Sequence, residues 1–323
     1  MAIKVAFVGA GGIAGFHLGH LEKIEDVEVV GFADAVREKA EARAKQVKAR
    51  PYSDHRRMLD ATKPDAVYVC TPPFAHGDFE LDAIERACHL FVEKPIATSM
   101  DTAEEIRRAI RNAGVLSAVG YQDRYQDIIA TLRKILRQRT PATAMGYWMG
   151  GMPGVPWWRV KARSGGQHTE QTTHIFDMMR YLFGEVRSVF AAASTGLMTD
   201  VPNYDVEDVS AVTLTFKDGM VATVHSACCL KGGGKVGIDI YCTDAVLEYV
   251  ERRSLTLREP HHTEEFTNET DFGQVSDEVF IDAIRTGGKT KRRVKSTYAD
   301  ACKSLALSLA ADKSMATGEV VEL

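Results

Sequence analysis

The first 120 residues alternate short apolar runs with charged stretches of helical period. Residues 3–8, 27–33, 66–70, 89–92 and 115–120 are rich in Val, Ile, Phe and Tyr and are bounded by Gly, Pro or Asp, which predicts buried strands. Residues 37–47, 78–88 and 100–113 carry polar faces spaced for helices. Strand and helix in strict alternation predict a doubly wound, mostly parallel sheet of the Rossmann type. Beyond residue 120 the pattern changes. Residues 211–216 and 220–225 flank Lys217-Asp218-Gly219, an Asp-Gly hairpin signal. Further strand candidates cover 143–149, 186–194, 235–242, 245–250 and 254–258. So many strands with few helices between them predict a second, α+β domain built on a large, mostly antiparallel open sheet. The expected division is α/β: a doubly wound first domain over 1–120 and an α+β second domain over 121–323. The helix near 297–317 could pack on either domain, as could the closing run Val320-Val321. No internal repeat or low-complexity tract interrupts the pattern.

Composition narrows the class. The chain has 323 residues, 45% hydrophobic and 26% charged, which suits two domains with separate cores. No run approaches the roughly 18 apolar residues of a spanning helix, and Lys4 with the following glycines breaks any leader pattern, so a cytoplasmic location away from membranes is expected. The six cysteines (Cys70, Cys88, Cys228, Cys229, Cys242 and Cys302) lack Cys-x-x-Cys spacing and point to reduced packing residues. A net charge of -4 leaves no basic footprint for nucleic acid, and Lys291-Arg292-Arg293 reads as a solvated loop.

The first apolar run passes directly into Gly9-Ala10-Gly11-Gly12-Ile13-Ala14. In the pattern Gly9-x-Gly11-x-x-Ala14, Gly9 permits a tight turn, Gly11 lets backbone amides approach a pyrophosphate, and Ala14 lets the helix pack closely on the strand. The second strand ends on Asp34, twenty residues after Ala14, where a carboxylate accepts hydrogen bonds from the adenosine ribose and repels the extra phosphate of NADP. NAD is the expected cofactor and NADP the alternative. Arg37 could reverse that preference, stack on adenine or stay in solvent. The fourth apolar run reads His89-Leu-Phe-Val-Glu93-Lys94-Pro95, so a proline fixes Lys94 at the carboxyl end of a strand, the edge at which open α/β sheets bind ligands. The bland alternative is a solvated lysine.

A second cluster runs from Ser164 to Leu182 and includes His168, Glu170 and His174. If the helix already runs at Glu170, the carboxylate and the His174 imidazole share one face, and the acid orients the base. Ile175, Met178, Met179 and Leu182 form the buried stripe. The spacing does not match the His-Glu-x-x-His zinc motif, so no metal is expected; the remaining alternative for His174 is a structural cap. Tyr121, Gln122 and Arg124 follow the last strand of the first half, and Trp157 and Trp158 lie in a Pro- and Gly-rich loop. These five are candidate substrate contacts, the tryptophans as an aromatic platform for a pyranose or, equally, as a core plug or dimer contact.

Together these segments resemble the Gfo/Idh/MocA group, the oxidoreductases similar to glucose-fructose oxidoreductase and inositol dehydrogenase. The resemblance spans nearly the whole chain and rests on the loop at 9–14, Thr71-Pro72-Pro73 with His76, Glu93-Lys94-Pro95, the run Gly120 to Tyr125, and the Gly-Gly to His174-x-x-Asp177 segment. It implies an NAD(P)-dependent enzyme that oxidises or reduces a secondary alcohol of a sugar, inositol or related polyol. It further implies that Gly12, Ile13, Thr71, Pro72, His76, Glu93 and Lys94 join the cofactor site, that Lys94, His174 and Glu170 are catalytic, and that the chain forms a homodimer or homotetramer through the C-terminal sheet. One departure is Glu170, where many members carry aspartate. Hydride transfer from a carbinol carbon needs a base on the hydroxyl and a cation near the developing alkoxide, for which His174 and Lys94 are suited. As a coupled pair, either can carry the transferring proton. Two other functions share the fold: glycoside cleavage through transient oxidation of the sugar, and NAD sensing without turnover, against which the presence of both Lys94 and His174 argues.

Overall fold

The structure, a computed structural model, describes residues 2–323. In chain order the elements begin β1 (Ile3–Val8), α1 (Gly12–Leu21), β2 (Val27–Ala33), α2 (Arg37–Val47), β3 (Arg50–Tyr52), α3 (His55–Thr62), β4 (Ala66–Val69), α4 (Asp78–Glu85), β5 (His89–Val92), α5 (Met100–Ala113) and β6 (Ser117–Val119). They continue with α6 (Asp127–Leu136), β7 (Pro141–Met149), α7 (Lys161–Ser164), α8 (Gly166–Glu170), α9 (Thr173–Phe183), β8 (Val186–Ser194), β9 (Val209–Phe216), β10 (Val221–Ala227) and β11 (Lys235–Cys242). The last are β12 (Val246–Val250), β13 (Ser254–Glu259), β14 (His262–Thr267), α10 (Phe272–Arg285), α11 (Tyr298–Thr317) and β15 (Val321–Glu322). Two compact units divide the chain, residues 1–122 with 271–302 and residues 123–270 with 303–323. Residues 271–302, assigned from sequence to the second domain, therefore group with the first. Among the described residues no helix is long and apolar enough to cross a membrane.

The first unit is a six-stranded parallel sheet in the order β3-β2-β1-β4-β5-β6. β4 is buried along its whole length and β1 at all but Lys4, as strands covered by helices on both faces must be. The order reverses between β1 and β4, which opens the crevice at the carboxyl ends where doubly wound sheets bind ligands. Local capping sets the helix starts: Asp54 accepts from the Arg57 amide at 2.8 Å, and Ser99 from the Thr102 amide at 3.3 Å. The core is aromatic. Phe7 stacks on Phe32 at 4.9 Å and Tyr68 on Phe91 at 4.7 Å, while Phe280 from α10 sets its edge against Phe91 at 5.6 Å.

The second unit is a nine-stranded sheet in the order β14-β13-β12-β11-β7-β10-β9-β8-β15. It is antiparallel except that β10 runs parallel to β7. One face carries the apolar core, in which Ile175, Phe176, Met178 and Met179 of α9 meet Val212, Leu214 and Val224 of the sheet. The other face is open, and Met145, Phe190, Val221 and Tyr241 are exposed on it. β14, which the sequence pattern did not mark, alternates no apolar residues and is almost wholly exposed at the sheet edge. The Asp-Gly hairpin forms as expected, with Val212 opposite Val224.

Candidate functional site

The glycine loop, Asp34, Thr71, Lys94 and Gly120 all emerge at the carboxyl edge of the six-stranded sheet, because each directly follows a parallel strand. Gly9 has φ +92°, and a side chain there would strike the Cys70 carbonyl, so both conformation and space demand glycine. Side chains at Gly11 and Gly12 would meet open space, while Ala14 is fully buried where α1 packs on the sheet. Asp34 stands beside the loop: its Oδ2 accepts from the Ala10 amide at 2.8 Å and its Oδ1 from the Val36 amide at 2.8 Å. Ile13 is on the surface of the loop, 36% exposed. The Thr71 hydroxyl is buried and meets no protein partner among the described residues. That unpaired hydroxyl and the open space over Gly11 and Gly12 suit a bound dinucleotide.

Two expected cofactor contacts, His76 and Arg37, have partners within the protein. His76 is buried, with Nδ1 2.5 Å from Glu80 Oε1 and Nε2 3.2 Å from the Thr71 carbonyl, so both ring nitrogens are engaged within the unit. Glu80 also accepts from the Gly77 amide, which fixes the start of α4, and His76 thereby braces the Thr71-Pro72 turn. Arg37 is exposed and paired with Glu41 four residues on. An arginine that the sequence reading passed over, Arg43, donates from Nη2 to the Gly11 carbonyl at 3.1 Å. In a helix as charged as α2 nothing singles it out.

Lys94 is half-buried between β5 and Pro95. The Glu93 side chain folds back to accept from the Lys94 amide at 3.2 Å on Oε2, and on Oε1 from Gln122 Nε2 at 3.2 Å. His17 Nε2 lies 3.0 Å from the same Oε1. Gln122 and Glu93 are thus parts of one buried scaffold under Lys94, and Tyr121 beside them is 2% exposed. Glu93 and Gln122, expected as cofactor and substrate contacts, thus support Lys94 from below.

In the second unit the helix expected to run through Glu170 is broken. α8 stops at Glu170 and α9 starts at Thr173, so the four-residue spacing to His174 does not lie along one continuous helix. Glu170 Oε2 accepts from the Trp158 indole at 2.7 Å. Trp158 is fully buried with Val206 and Cys228, an anchor for Glu170 in place of the expected sugar platform; Trp157 is partly buried against the same cluster. His174 stacks on Trp148 with ring centroids 5.6 Å apart, and its Nδ1 faces Asp123 Oδ2 at 3.4 Å. Arg252 donates to Asp123 Oδ1 at 2.7 Å. Burial pushes the Asp123 carboxyl up, but Arg252 and His174 outweigh it and hold the group below the ordinary carboxylate value. Asp123, which follows the last strand of the first unit's sheet in sequence, is the carboxylate that orients the imidazole. Arg124, expected as a substrate contact, is 3% exposed and binds Asp177 with two bonds, Nε to Oδ2 at 2.7 Å and Nη2 to Oδ1 at 2.6 Å. His168 is buried with Nε2 2.7 Å from Ser210 Oγ.

Two family models match the chain. That described as "Oxidoreductase family, NAD-binding Rossmann fold" covers residues 3–121, and the GFO/IDH/MocA C-terminal domain covers 140–248. Among curated relatives, D-glucoside 3-dehydrogenase of Escherichia coli is 29% identical over 70% of this chain and 70% of its own. Inositol 2-dehydrogenase of Rhizobium meliloti is 26% identical over 98% of each. The solved structure of levoglucosan dehydrogenase with NADH and L-sorbose superimposes with a TM-score of 0.87 at 20% identity, covering 100% of this chain and 99% of that one, and so shares the fold. On these matches, and on the glycine loop and strand-end acid that they enclose, the chain belongs to the Gfo/Idh/MocA family of NAD-binding oxidoreductases.

Proposed function

We propose that this protein interconverts a secondary alcohol and its ketone on a sugar, inositol or related polyol, with NAD as redox partner. One observation carries the reading: Lys94 leaves the same sheet edge as the Gly9 loop, set on a buried scaffold of Glu93 and Gln122. The relatives named as glucoside and inositol dehydrogenases support the substrate class and favour net dehydrogenation over glycoside cleavage. Asp34 favours NAD over NADP by charge repulsion.

Bound NAD supplies the hydride acceptor in the oxidative direction. His174 removes the hydroxyl proton through Nε2, the ring nitrogen not facing Asp123, and the Asp123 carboxylate stabilises the imidazolium that results. The Lys94 ammonium is suited to offset the charge that develops on a reacting oxygen. Glu170, anchored by Trp158, is a second carboxylate of the His174 segment, and Tyr121 and Trp157 remain the candidate substrate contacts. In reduction His174 returns the proton. The test is NADH absorbance against a panel of inositols, glucosides and free sugars, with both cofactors. Wild type should form NADH with at least one alcohol, and Lys94→Ala should abolish turnover while NADH still binds; unchanged turnover would sink the mechanism.

The same reading includes two features of the whole protein. The apolar side chains on the open face of the nine-stranded sheet support assembly into a homodimer or homotetramer through that face. Six unbridged cysteines support a reducing, cytoplasmic location.

A further inference from the structure

A buried group of ionisable side chains outside the proposed reaction lies inside the first unit. His17 in α1 is 0% exposed, Asp277 in α10 is 0% exposed, Glu93 after β5 is 5% exposed, and His20 in α1 is 6% exposed. His17 Nδ1 is 2.9 Å from both Asp277 oxygens, and its Nε2 is 3.0 Å from Glu93 Oε1. His20 Nδ1 is 2.7 Å from Asp277 Oδ2, with Asp271 3.7 Å from its Nε2. An ionised carboxylate only accepts, so an imidazole held between two of them must donate from both nitrogens and carry a proton on each. A neutral ring would leave one nitrogen lone pair pressed against a carboxylate oxygen in a dry interior.

We propose that His17 is a positioning residue for Lys94: an imidazolium clamped between Asp277 and Glu93 that fixes the Glu93 carboxylate and, through it, the backbone of Lys94. The carboxylate cage is tight. Oε1 meets His17 and Gln122, Oε2 meets the Lys94 amide, and a side chain at Gly120 would collide with the carboxylate itself. The lack of a side chain at Gly120 is thus what admits Glu93 to this position. The rings of Phe16, Tyr68 and Phe91 lie within 5.5 Å of the imidazole centroid and keep water from competing for its bonds. The other ionisable groups facing His17, Tyr68 and Cys70 of the β4 end, are kept protonated by burial, so the counter-charges to its ring are the Asp277 and Glu93 carboxylates. Burial alone would lower the His17 pKa, but Asp277 and then Glu93 raise it to about 10. His17, His20 and Asp277 also have the spacing of a three-ligand metal set. The engagement of both His17 nitrogens with carboxylates favours a proton in that place.

The proposal rests on Lys94 being the working group of the proposed function, and its test needs no turnover, so the two readings fail separately. Ring 15N spectra of the full chain, which has ten histidines, should show at least one imidazole doubly protonated at pH 8.5. That signal should vanish in His17→Gln and move toward the ordinary range in Asp277→Asn. A spectrum with every ring neutral at that pH overturns the proposal, and so does stoichiometric Zn²⁺ retained through desalting with loss of the His17 signal. The second arm reads Lys94 directly, by 13C-dimethylation assigned with Lys94→Arg. Its resonance should shift in His17→Gln and in Glu93→Gln, with no further shift in the double variant, because His17 acts through Glu93. Additive shifts, or none in His17→Gln, overturn it. With an alcohol that turns over, His17→Gln should lower kcat by about 10- to 100-fold while the NADH Kd changes less than about threefold. A loss confined to NADH binding contradicts positioning.

Discussion

Replacing Asp177 with alanine removes the carboxylate that holds the Arg124 fork with two bonds, and its effect can be worked from the geometry. Arg124 and Asp177 are 3% and 2% exposed and share two bonds of 2.6 and 2.7 Å, and Ser304 Oγ donates to Asp177 Oδ1 at 2.7 Å. The change removes two charge-assisted bonds from a buried guanidinium, and breaking a buried pair from one side costs about 3–5 kcal/mol. The second unit has roughly 170 residues, a size at which 1 kcal/mol moves the midpoint by about 2–4 °C, so the melting transition of this unit should fall by about 10 °C. Differential scanning calorimetry with far-UV circular dichroism reads this directly. The double change Arg124→Met with Asp177→Leu should recover most of the loss, since a buried pair replaced by apolar residues of similar volume is often neutral or better. A fall of less than about 2 °C in Asp177→Ala, or a double variant no better than the single, would refute the structural assignment of Arg124. A rise in KM beyond the loss of folded protein would return it to substrate binding.

Asp34→Ala should move the ratio of NADPH to NADH affinity toward NADPH by about tenfold or more in fluorescence titrations, and an unchanged ratio contradicts its placement at the ribose. Asp123→Asn should lower kcat by about 100-fold or more with NADH binding preserved, as loss of an imidazole-orienting carboxylate does, and equal kcat would remove Asp123 from the reaction. Trp158→Phe keeps an aromatic ring but removes the indole donor to the Glu170 carboxylate, and should cost about 1–3 kcal/mol in urea unfolding. The His17 pKa rises on folding from 6.5 to about 10, so its stabilisation is complete below pH 6.5 and is lost as pH climbs toward 10. The alkaline fall in melting temperature should therefore be shallower in His17→Gln than in wild type.

The parts of the site that can be read from sequence are those that depend on near neighbours. The turn at Gly9, the acid at Asp34 and the strand-end Lys94 each follow from a few adjacent residues, and the hairpin of β9 and β10 follows from Asp218-Gly219. The parts that cannot are pairings across long intervals. His17 meets Asp277 across 260 positions, and Asp123 meets Arg252 across 129. Each of these residues alone is an ordinary polar position on an ordinary element. Glu170 misleads for a different reason: no proline marks the break between α8 and α9, so spacing predicts a shared face that the backbone does not provide. β14 escapes because an exposed edge strand needs no apolar alternation, and α10 because no chemical motif drew attention to its stretch.

The return of residues 271–302 to the first unit bears on how the chain is made. A ribosome releases β1 to β6 first, but Phe280, which closes the aromatic core, and Asp277, which pairs with His17, are synthesised only after all strands of the second sheet except β15. The dinucleotide-binding unit is therefore begun first and completed late, and until then a buried histidine lacks its main counter-charge. A fragment ending near residue 120 should bind cofactor poorly and aggregate, because a boundary drawn at the end of β6 leaves out residues 271–302 of the same unit.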